Sequence, residues 1–138
     1  MSFREKSAWI TLSAILLVSV LYFLHAPMIL DPSPGPWEFH ILLASIATFI
    51  GIEVVAYIVL YLRYPKDART PKDERERLID LKATRLGAYV YVVASFLAIL
   101  TPHHGANGFA VGIFIIMAFV IAQIVNYTAR IVYYRRGV

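Results

Sequence analysis

The sequence contains no cysteine among its 138 residues, and charged residues make up only 16% of it. The absence of cysteine excludes disulfides, thiolate metal sites and cysteine nucleophiles. Because soluble domains usually carry about 25% charged residues, this chain is poor in charge. Hydrophobic side chains reach 59% of the sequence. One small core cannot hide that much apolar surface from water, so lipid is the expected surrounding medium.

The common catalytic motifs are also missing. The sequence has no phosphate-binding glycine loop and no G-x-G-x-x-G, H-E-x-x-H or G-x-S-x-G pattern. No serine, histidine and acid stand where the predicted helices would bring them together. We therefore expect a protein that is not an enzyme, and the sequence leaves its cofactors unknown.

Four long apolar runs dominate what is present. Each run approaches or exceeds the roughly 20 residues that a membrane-spanning helix needs. The first run is longer than the core of a signal peptide and no A-x-A cleavage site follows it, so we interpret it as a retained helix. The predicted helices cover residues 8–25, 37–62, 71–100 and 109–134, within a single transmembrane domain of residues 1–138.

Short connections join the helices in pairs. Four prolines break the chain between the first and second predicted helices, and a short Pro/Gly turn joins the third and fourth. Before the third helix, Thr70 is a candidate N-cap and Pro71 suits the first helical position. The pattern predicts an all-α protein, an integral membrane four-helix up-and-down bundle.

Lysine and arginine are distributed on one side of these helices. All 13 of them lie before the first helix, between the second and third, or near the end of the fourth. The other two connections contain none. Because basic residues concentrate on the cytoplasmic side of a membrane, this asymmetry predicts that both termini are cytoplasmic.

A faint internal repeat relates the two halves of the chain. The second helix ends in AYIVLYLR, from Ala56 to Arg63, and the fourth ends in ARIVYYRR, from Ala129 to Arg136. Arg4 and Phe23 match Arg77 and Phe96 at the same offset. Two related helical hairpins are one interpretation. The other is that helix ends at a cytoplasmic interface commonly collect tyrosine and arginine.

One acidic residue lies deep inside a predicted helix. Glu53 is ten residues before Arg63, which places it about 15 Å from that helix end at 1.5 Å per residue. A carboxylate at this depth is costly unless it is paired or protonated. The fourth helix offers polar partners, so we predict an intramembrane polar cluster of Glu53 with Gln123, Asn126, Tyr127 and Arg130. It either fixes helix packing or handles protons, ions or a polar ligand.

All four histidines fall near the opposite, uncharged ends of the predicted helices. They are His25, His40, His103 and His104. Imidazole with nearby carboxylates suits zinc, copper or nickel, and histidines on different helices can ligate a haem. Their spacing matches no recognised motif, and amphipathic side chains are common at membrane interfaces. An interface role, a metal site and a haem site all stay open.

The charged stretch between the second and third helices is the only sizeable polar surface. We predict that its basic side chains contact a cytoplasmic protein partner or lipid headgroups. Five acidic residues interleave them, which argues against nucleic-acid binding. Two of these acids, Asp73 and Glu74, stand at pairing distance from Arg77 on a helix. The predicted contact residues are Arg75, Arg77, Lys82 and Arg85.

The same stretch resembles a known kind of protein. It contains Asp73-Glu74-Arg75-Glu76, then Leu78-Ile79 and Lys82-Ala83, and the chain opens with FREKSAW. These segments resemble those of small bacterial four-helix inner-membrane proteins, which carry such a loop before the third helix. The resemblance implies a multi-pass protein of the bacterial inner membrane and implies no particular activity.

Three functions are compatible with the sequence. The first is a non-enzymatic membrane module, a scaffold, sensor or regulatory subunit that acts through the charged stretch. The second is a small transporter or channel subunit, in which a homo-oligomer lines a path with Glu53 and the polar face of the fourth helix. The third is a metal- or haem-binding membrane protein that uses the four histidines.

Overall fold

The computed structural model describes residues 2–25, 36–100 and 108–136, which form five α-helices and no strand. Four helices are long: α1 (Phe3–His25), α2 (Pro36–Arg63), α4 (Glu74–Ile99) and α5 (Gly108–Arg136). A short helix, α3 (Pro65–Arg69), lies between α2 and α4. Each long helix is long and apolar enough to cross a membrane. The prediction of an all-α chain with four such helices is confirmed.

Helix α1 begins at Phe3, five residues before the predicted start. The Glu5 backbone N–H donates to Ser2 Oγ at 3.2 Å. Serine followed three residues later by glutamate is a known signature of a helix start. The additional turn carries Arg4 and Glu5, which both form ion pairs with other helices.

Helix α4 begins later than predicted, and the expectation for Thr70 and Pro71 is wrong. Thr70 instead follows the end of α3 in an extended conformation, since a residue before proline avoids helical geometry. Asp73 is the N-cap of α4, and its carboxylate accepts the Glu76 N–H at 2.6 Å. Pro65, at the first position of α3, is the sequence signal for that short helix.

The long helices form a row in the order α2, α1, α5, α4. Helix α1 packs against both α2 and α5, and α4 packs against α5. Neighbouring helices run antiparallel, because Phe3 contacts Tyr57, Glu5 pairs with Arg135 and Asp80 pairs with Arg130. In the described part of the chain α2 makes no comparable contact with α4 or α5. The charged ends of all four helices therefore lie together, and α1 separates α2 from α5.

Small residues dominate the contact between α4 and α5. Ala83 and Gly87 of α4 are buried, as are Ala118 and Ala122 of α5. Without large side chains the two backbones approach closely, which is a common way for membrane helices to pack. A Cβ atom added at Gly87 would lie 3.0 Å from the Ala122 carbonyl oxygen and 3.0 Å from Asn126 Cβ.

Helix α2 is the least covered of the four. Leu60 is the only buried residue among its described side chains, and Val54, Val55 and Leu62 are among its exposed apolar side chains. So much apolar surface is stable only beside lipid or another apolar partner. An apolar cavity of about 440 Å³ lies between α1, α2 and α5, at the level of Ile15 to Tyr22 of α1, and Tyr91 of α4 also lines it.

The close approach at Gly87 gives a stability prediction. Gly87→Ala is expected to lower the free energy of unfolding by about 1–3 kcal/mol, because the new methyl overpacks against the α5 backbone. Gly51→Ala and Gly112→Ala are matched controls, since nothing lies within 4 Å of the Cβ position at either site. SDS unfolding titrations in mild detergent would measure the difference. Equal stability of Gly87→Ala and the controls would contradict the close packing.

Candidate functional site

Glu53 lies in the middle of α2 and faces α1. Thr11 Oγ1 donates a hydrogen bond to Glu53 Oε2 at 2.9 Å. The other carboxyl oxygen, Oε1, is buried and has no hydrogen-bond partner among the described residues. Nearly all buried polar groups in proteins have such partners. A buried carboxyl oxygen that lacks one is therefore an unusual feature of this interface.

The predicted contact of Glu53 with the polar face of α5 is not found. Helix α1 stands between α2 and α5, so Thr11 occupies the place that the prediction gave to α5 side chains. Arg130 pairs instead with Asp80 of α4, at 3.4 Å. The sequence predicted how deep each residue lies along its helix, but it did not predict the order in which the helices stand side by side.

The four α5 members of the predicted cluster do lie together. Asn126 Nδ2 donates to Gln123 Oε1 at 3.5 Å, and Arg130 Nε donates to Asn126 Oδ1 at 3.2 Å. The Arg130 guanidinium lies 5.1 Å from the centre of the Tyr127 ring. Asn126 is buried, so these bonds satisfy an amide that would otherwise be costly at this depth.

Asp80 is the centre of an ion-pair network that the sequence analysis missed. Its carboxylate pairs with Arg130 of α5 and with Lys72, which precedes α4. Arg130 also donates to Thr84 Oγ1 at 3.4 Å. Aspartate side chains in the first two turns of a helix are common on surfaces, and only the packing of α4 on α5 distinguishes this one.

Two further ion pairs join α1 to this end of the protein. Arg4 Nε lies 3.0 Å from Glu76 Oε2, and Arg4 also donates to the Thr70 carbonyl oxygen at 2.8 Å. Arg135 Nε lies 3.7 Å from Glu5 Oε1. The N-terminus of α1 is thereby held against α4 and α5, although α1 and α4 are not neighbours in the row.

A polar cavity of about 300 Å³ opens between these helix ends. Arg4, Lys72, Asp80 and Arg130 line it, together with Ser7 and three tyrosines: Tyr57, Tyr127 and Tyr134. Its walls are polar and apolar in similar measure, in contrast to the apolar cavity farther along α1. Water or a polar group can therefore enter the protein at its charged end.

The four predicted contact residues of the charged stretch lie on α4 and are exposed. They are Arg75, Arg77, Lys82 and Arg85. Arg75 donates to the Tyr134 carbonyl oxygen at 3.4 Å, and Arg85 Nε donates to Tyr89 Oη at 2.9 Å. The expected pairing of Arg77 with Asp73 or Glu74 is not among the ion pairs of the described residues, since Asp73 caps α4.

Aromatic side chains accompany the cations at this end. Lys6 Nζ lies 3.6 Å from the centre of the Tyr64 ring, and Arg135 lies 5.3 Å from that of Trp9. The hydrogen bond between Arg69 Nε and Tyr61 Oη, at 3.0 Å, raises the pKa of Arg69 further, so this exposed group stays cationic. Tyrosine, tryptophan and basic residues together are typical of a membrane–water interface.

Most side chains of the predicted histidine site lie outside the described part of the structure. These are the side chains of His25, His103 and His104, whereas His40 is described and exposed. Within residues that are described, no group of three or more histidine, cysteine or acidic side chains is placed to hold a metal ion. The histidine site stays a prediction.

Corresponding positions of the two hairpins carry corresponding polar groups. At the offset that relates Ala56 to Ala129, Glu53 matches Asn126 and Thr11 matches Thr84. Thr11 and Thr84 each contact a polar side chain of the neighbouring helix. The repeat therefore offered the one sequence signal by which Thr11 and Thr84 could have been found.

A scan of protein-family models and searches of curated proteins and of solved structures find no match to this chain.

The double pairing of Asp80 gives a second stability prediction. Asp80→Asn leaves Arg130 and Lys72 without their carboxylate, and we expect the free energy of unfolding to fall by about 1–2 kcal/mol, since the group is partly screened by water. Asp67→Asn is the matched control, because Asp67 is exposed and forms no ion pair in the described structure. Equal SDS unfolding midpoints for the two variants would contradict the network.

Proposed function

We propose that the protein is a non-enzymatic membrane module whose basic end binds anionic lipid headgroups. The observation that carries this proposal is how the acidic residues of that end are used. Glu5, Glu76 and Asp80 are bound in ion pairs between helices, and Asp73 caps α4. The acids therefore hold the protein together and leave an excess of cations facing outward.

The remaining surface is strongly basic. Only three acidic side chains are exposed among the described residues of this end: Asp67, Asp73 and Glu74. The exposed basic side chains are Arg63, Lys66, Arg69, Lys72, Arg75, Arg77, Lys82, Arg85, Arg135 and Arg136, of which Lys72 and Arg135 also take part in the ion pairs. Basic residues next to membrane-spanning helices attract anionic lipids by about 1 kcal/mol each. The flanking tyrosines and Trp9 suit the same headgroup layer.

The charge distribution also supports an orientation. We propose that the basic end and both termini face the cytoplasm, in the inner membrane of a bacterium. The support is the one-sided distribution of lysine and arginine, and the resemblance of the Asp73–Ala83 segment to small bacterial inner-membrane proteins. In this arrangement the module is a scaffold or sensor that presents a basic surface to the cytoplasmic leaflet, as a monomer or a homo-oligomer.

Headgroup binding predicts that stability depends on lipid charge. In nanodiscs, anionic phosphatidylglycerol is expected to raise the melting temperature of the wild type above its value in zwitterionic lipid, and salt should reduce the increase. Replacing Arg75, Arg77, Lys82 and Arg85 by glutamine should reduce it measurably, because they are four of the ten exposed basic side chains described at this end. A variant with Asp67→Asn and Glu74→Gln is the control of opposite sign and should keep or enlarge the increase.

An unchanged lipid dependence in the glutamine variant would contradict headgroup binding by these residues. If that variant instead lost a co-purifying acidic protein while its lipid dependence stayed the same, the basic end would be a protein-docking surface. The two outcomes are distinguished because the nanodisc measurement contains no other protein.

The orientation has its own test. Reporters that are active only in the periplasm should be silent when fused to either terminus, and cytoplasmic reporters should be active at both. Exchanging Arg75 and Arg77 for glutamate should weaken this preference, because it reduces the basic excess at the start of α4. A periplasmic signal from either terminus of the wild type would contradict the proposed orientation.

A further inference from the structure

Among the described acidic side chains that are not exposed, Glu53 is the one without a charged partner. Its Oε1 atom is buried without a hydrogen bond, and Thr11 supplies the single hydrogen bond to Oε2. No lysine, arginine or histidine in the described part of the chain pairs with it. An ionised carboxylate in the membrane interior without a cation is strongly disfavoured.

In the second hairpin, formed by α4 and α5, the position that corresponds to Glu53 has a cation beside it. The residue that matches Glu53 is Asn126, and one turn toward the charged end stands Arg130, which bonds to it. In the first hairpin the residue that matches Arg130 is Tyr57. The first hairpin therefore has the acid without the cation, and the second has the cation beside a neutral amide.

We propose that Glu53 is a proton-binding site that exchanges protons with the aqueous phase at the basic end only. A hydronium ion from that side gives its proton to Oε1, an O–H bond forms, and water is left behind. Proton binding removes the negative charge from the membrane interior. Burying a neutral carboxyl group there costs far less free energy than burying a carboxylate. No other bond is made or broken.

The polar cavity provides the access. Tyr57 lines that cavity and lies four residues after Glu53 on α2, so it is one helical turn closer to the basic end. Ser7 lines the same cavity and lies one turn from Thr11 on α1. The Glu53–Thr11 pair is therefore one turn beyond the inner part of a cavity that admits water.

The opposite direction is apolar. One turn from the pair on that side stand Ile15 of α1 and Phe49 of α2, which both line the apolar cavity. The walls of that cavity are almost entirely apolar, and Ser45, on its wall, donates its hydroxyl to the Ile41 carbonyl oxygen of its own helix. Polar side chains such as Ser19 and Gln123 also line this cavity but expose little polar surface to it, so a proton that reaches Glu53 meets an apolar wall on this side. This arrangement suits a sensor of protons on one side and not a transport path.

The other carboxylate beside the access route, Asp80, lines the polar cavity and is already paired with Lys72 and Arg130. Helices α1 and α3 are the main neighbours of α2. Facing Glu53, α1 presents Thr11 and, one turn away, Ser7, and neither ionises near neutral pH. The charged residues of α3, Lys66, Asp67 and Arg69, lie beyond the end of α2. Tyr57 is the nearest titratable side chain of α2 itself.

Infrared spectroscopy of the full-length protein in liposomes tests the site directly. Over a series of pH values the wild type is expected to show the carbonyl stretch of a protonated carboxylic acid, which shifts in heavy water. Glu53→Gln should lack this band and still fold, because an amide stands at the matching position of the second hairpin. Thr11→Val should keep the band at a shifted frequency, since it removes the hydrogen bond to Oε2. Absence of the band from the wild type would overturn the proposal.

Membrane vesicles of opposite orientation test the sidedness. The band is expected to follow the external pH only in vesicles that expose the basic end, with the internal pH buffered separately. In liposomes under a pH gradient, wild type and Glu53→Gln should pass protons at the same background rate. A band that follows the pH of the other face, or a proton flux that Glu53→Gln abolishes, would overturn one-sided access. Neither result bears on headgroup binding, which is measured at fixed pH with other residues.

Discussion

The position of α1 between α2 and α5 is the constraint on which the rest of the structure depends. Because α1 separates those two helices, Glu53 meets a threonine and not the arginine that the α5 sequence offers at nearly the same depth. The same placement brings the first turn of α1 beside α4 and α5, where Arg4 and Glu5 form ion pairs. The uncompensated acid in the membrane interior and the closed network at the basic end therefore follow from one packing choice.

The sequence predicted the helices of this fold much better than it predicted which helices pack against each other. Apolar run length and proline-rich breaks located four helices, because a spanning helix satisfies its backbone hydrogen bonds locally. The polar residues of α5 were also grouped correctly, since residues three and four apart share a helix face. Glu53 was assigned the wrong partner, because the lateral order of helices depends on side-chain shape across contacts far apart in sequence. The start of α1 was missed although Ser2 and Glu5 carry a capping signal.

The two hairpins use matching positions for different purposes. In the second hairpin Asp80, Thr84, Asn126 and Arg130 satisfy one another and lock α4 to α5 over a contact built from small residues. In the first hairpin the matching residues are Ser7, Thr11, Glu53 and Tyr57, of which one is acidic and none is basic. In the second hairpin the polar side chains therefore hold two helices together. In the first hairpin the acidic side chain of Glu53 lies at the same level without a charged partner.

The contact of α1 with α5 also constrains how the protein is made. It joins the first helix of the described chain to the last, and Ala8 and Leu12 pack on Ile131 across it. During synthesis, α1 enters the membrane long before α5 leaves the ribosome, so its small and polar side chains face lipid or an insertion factor until α5 is inserted. Only then can Glu5 meet Arg135 and Arg4 meet Glu76. A chain truncated before α5 would keep three apolar helices that insert, yet it would leave α1 without half of its contacts and expose it to quality-control proteases.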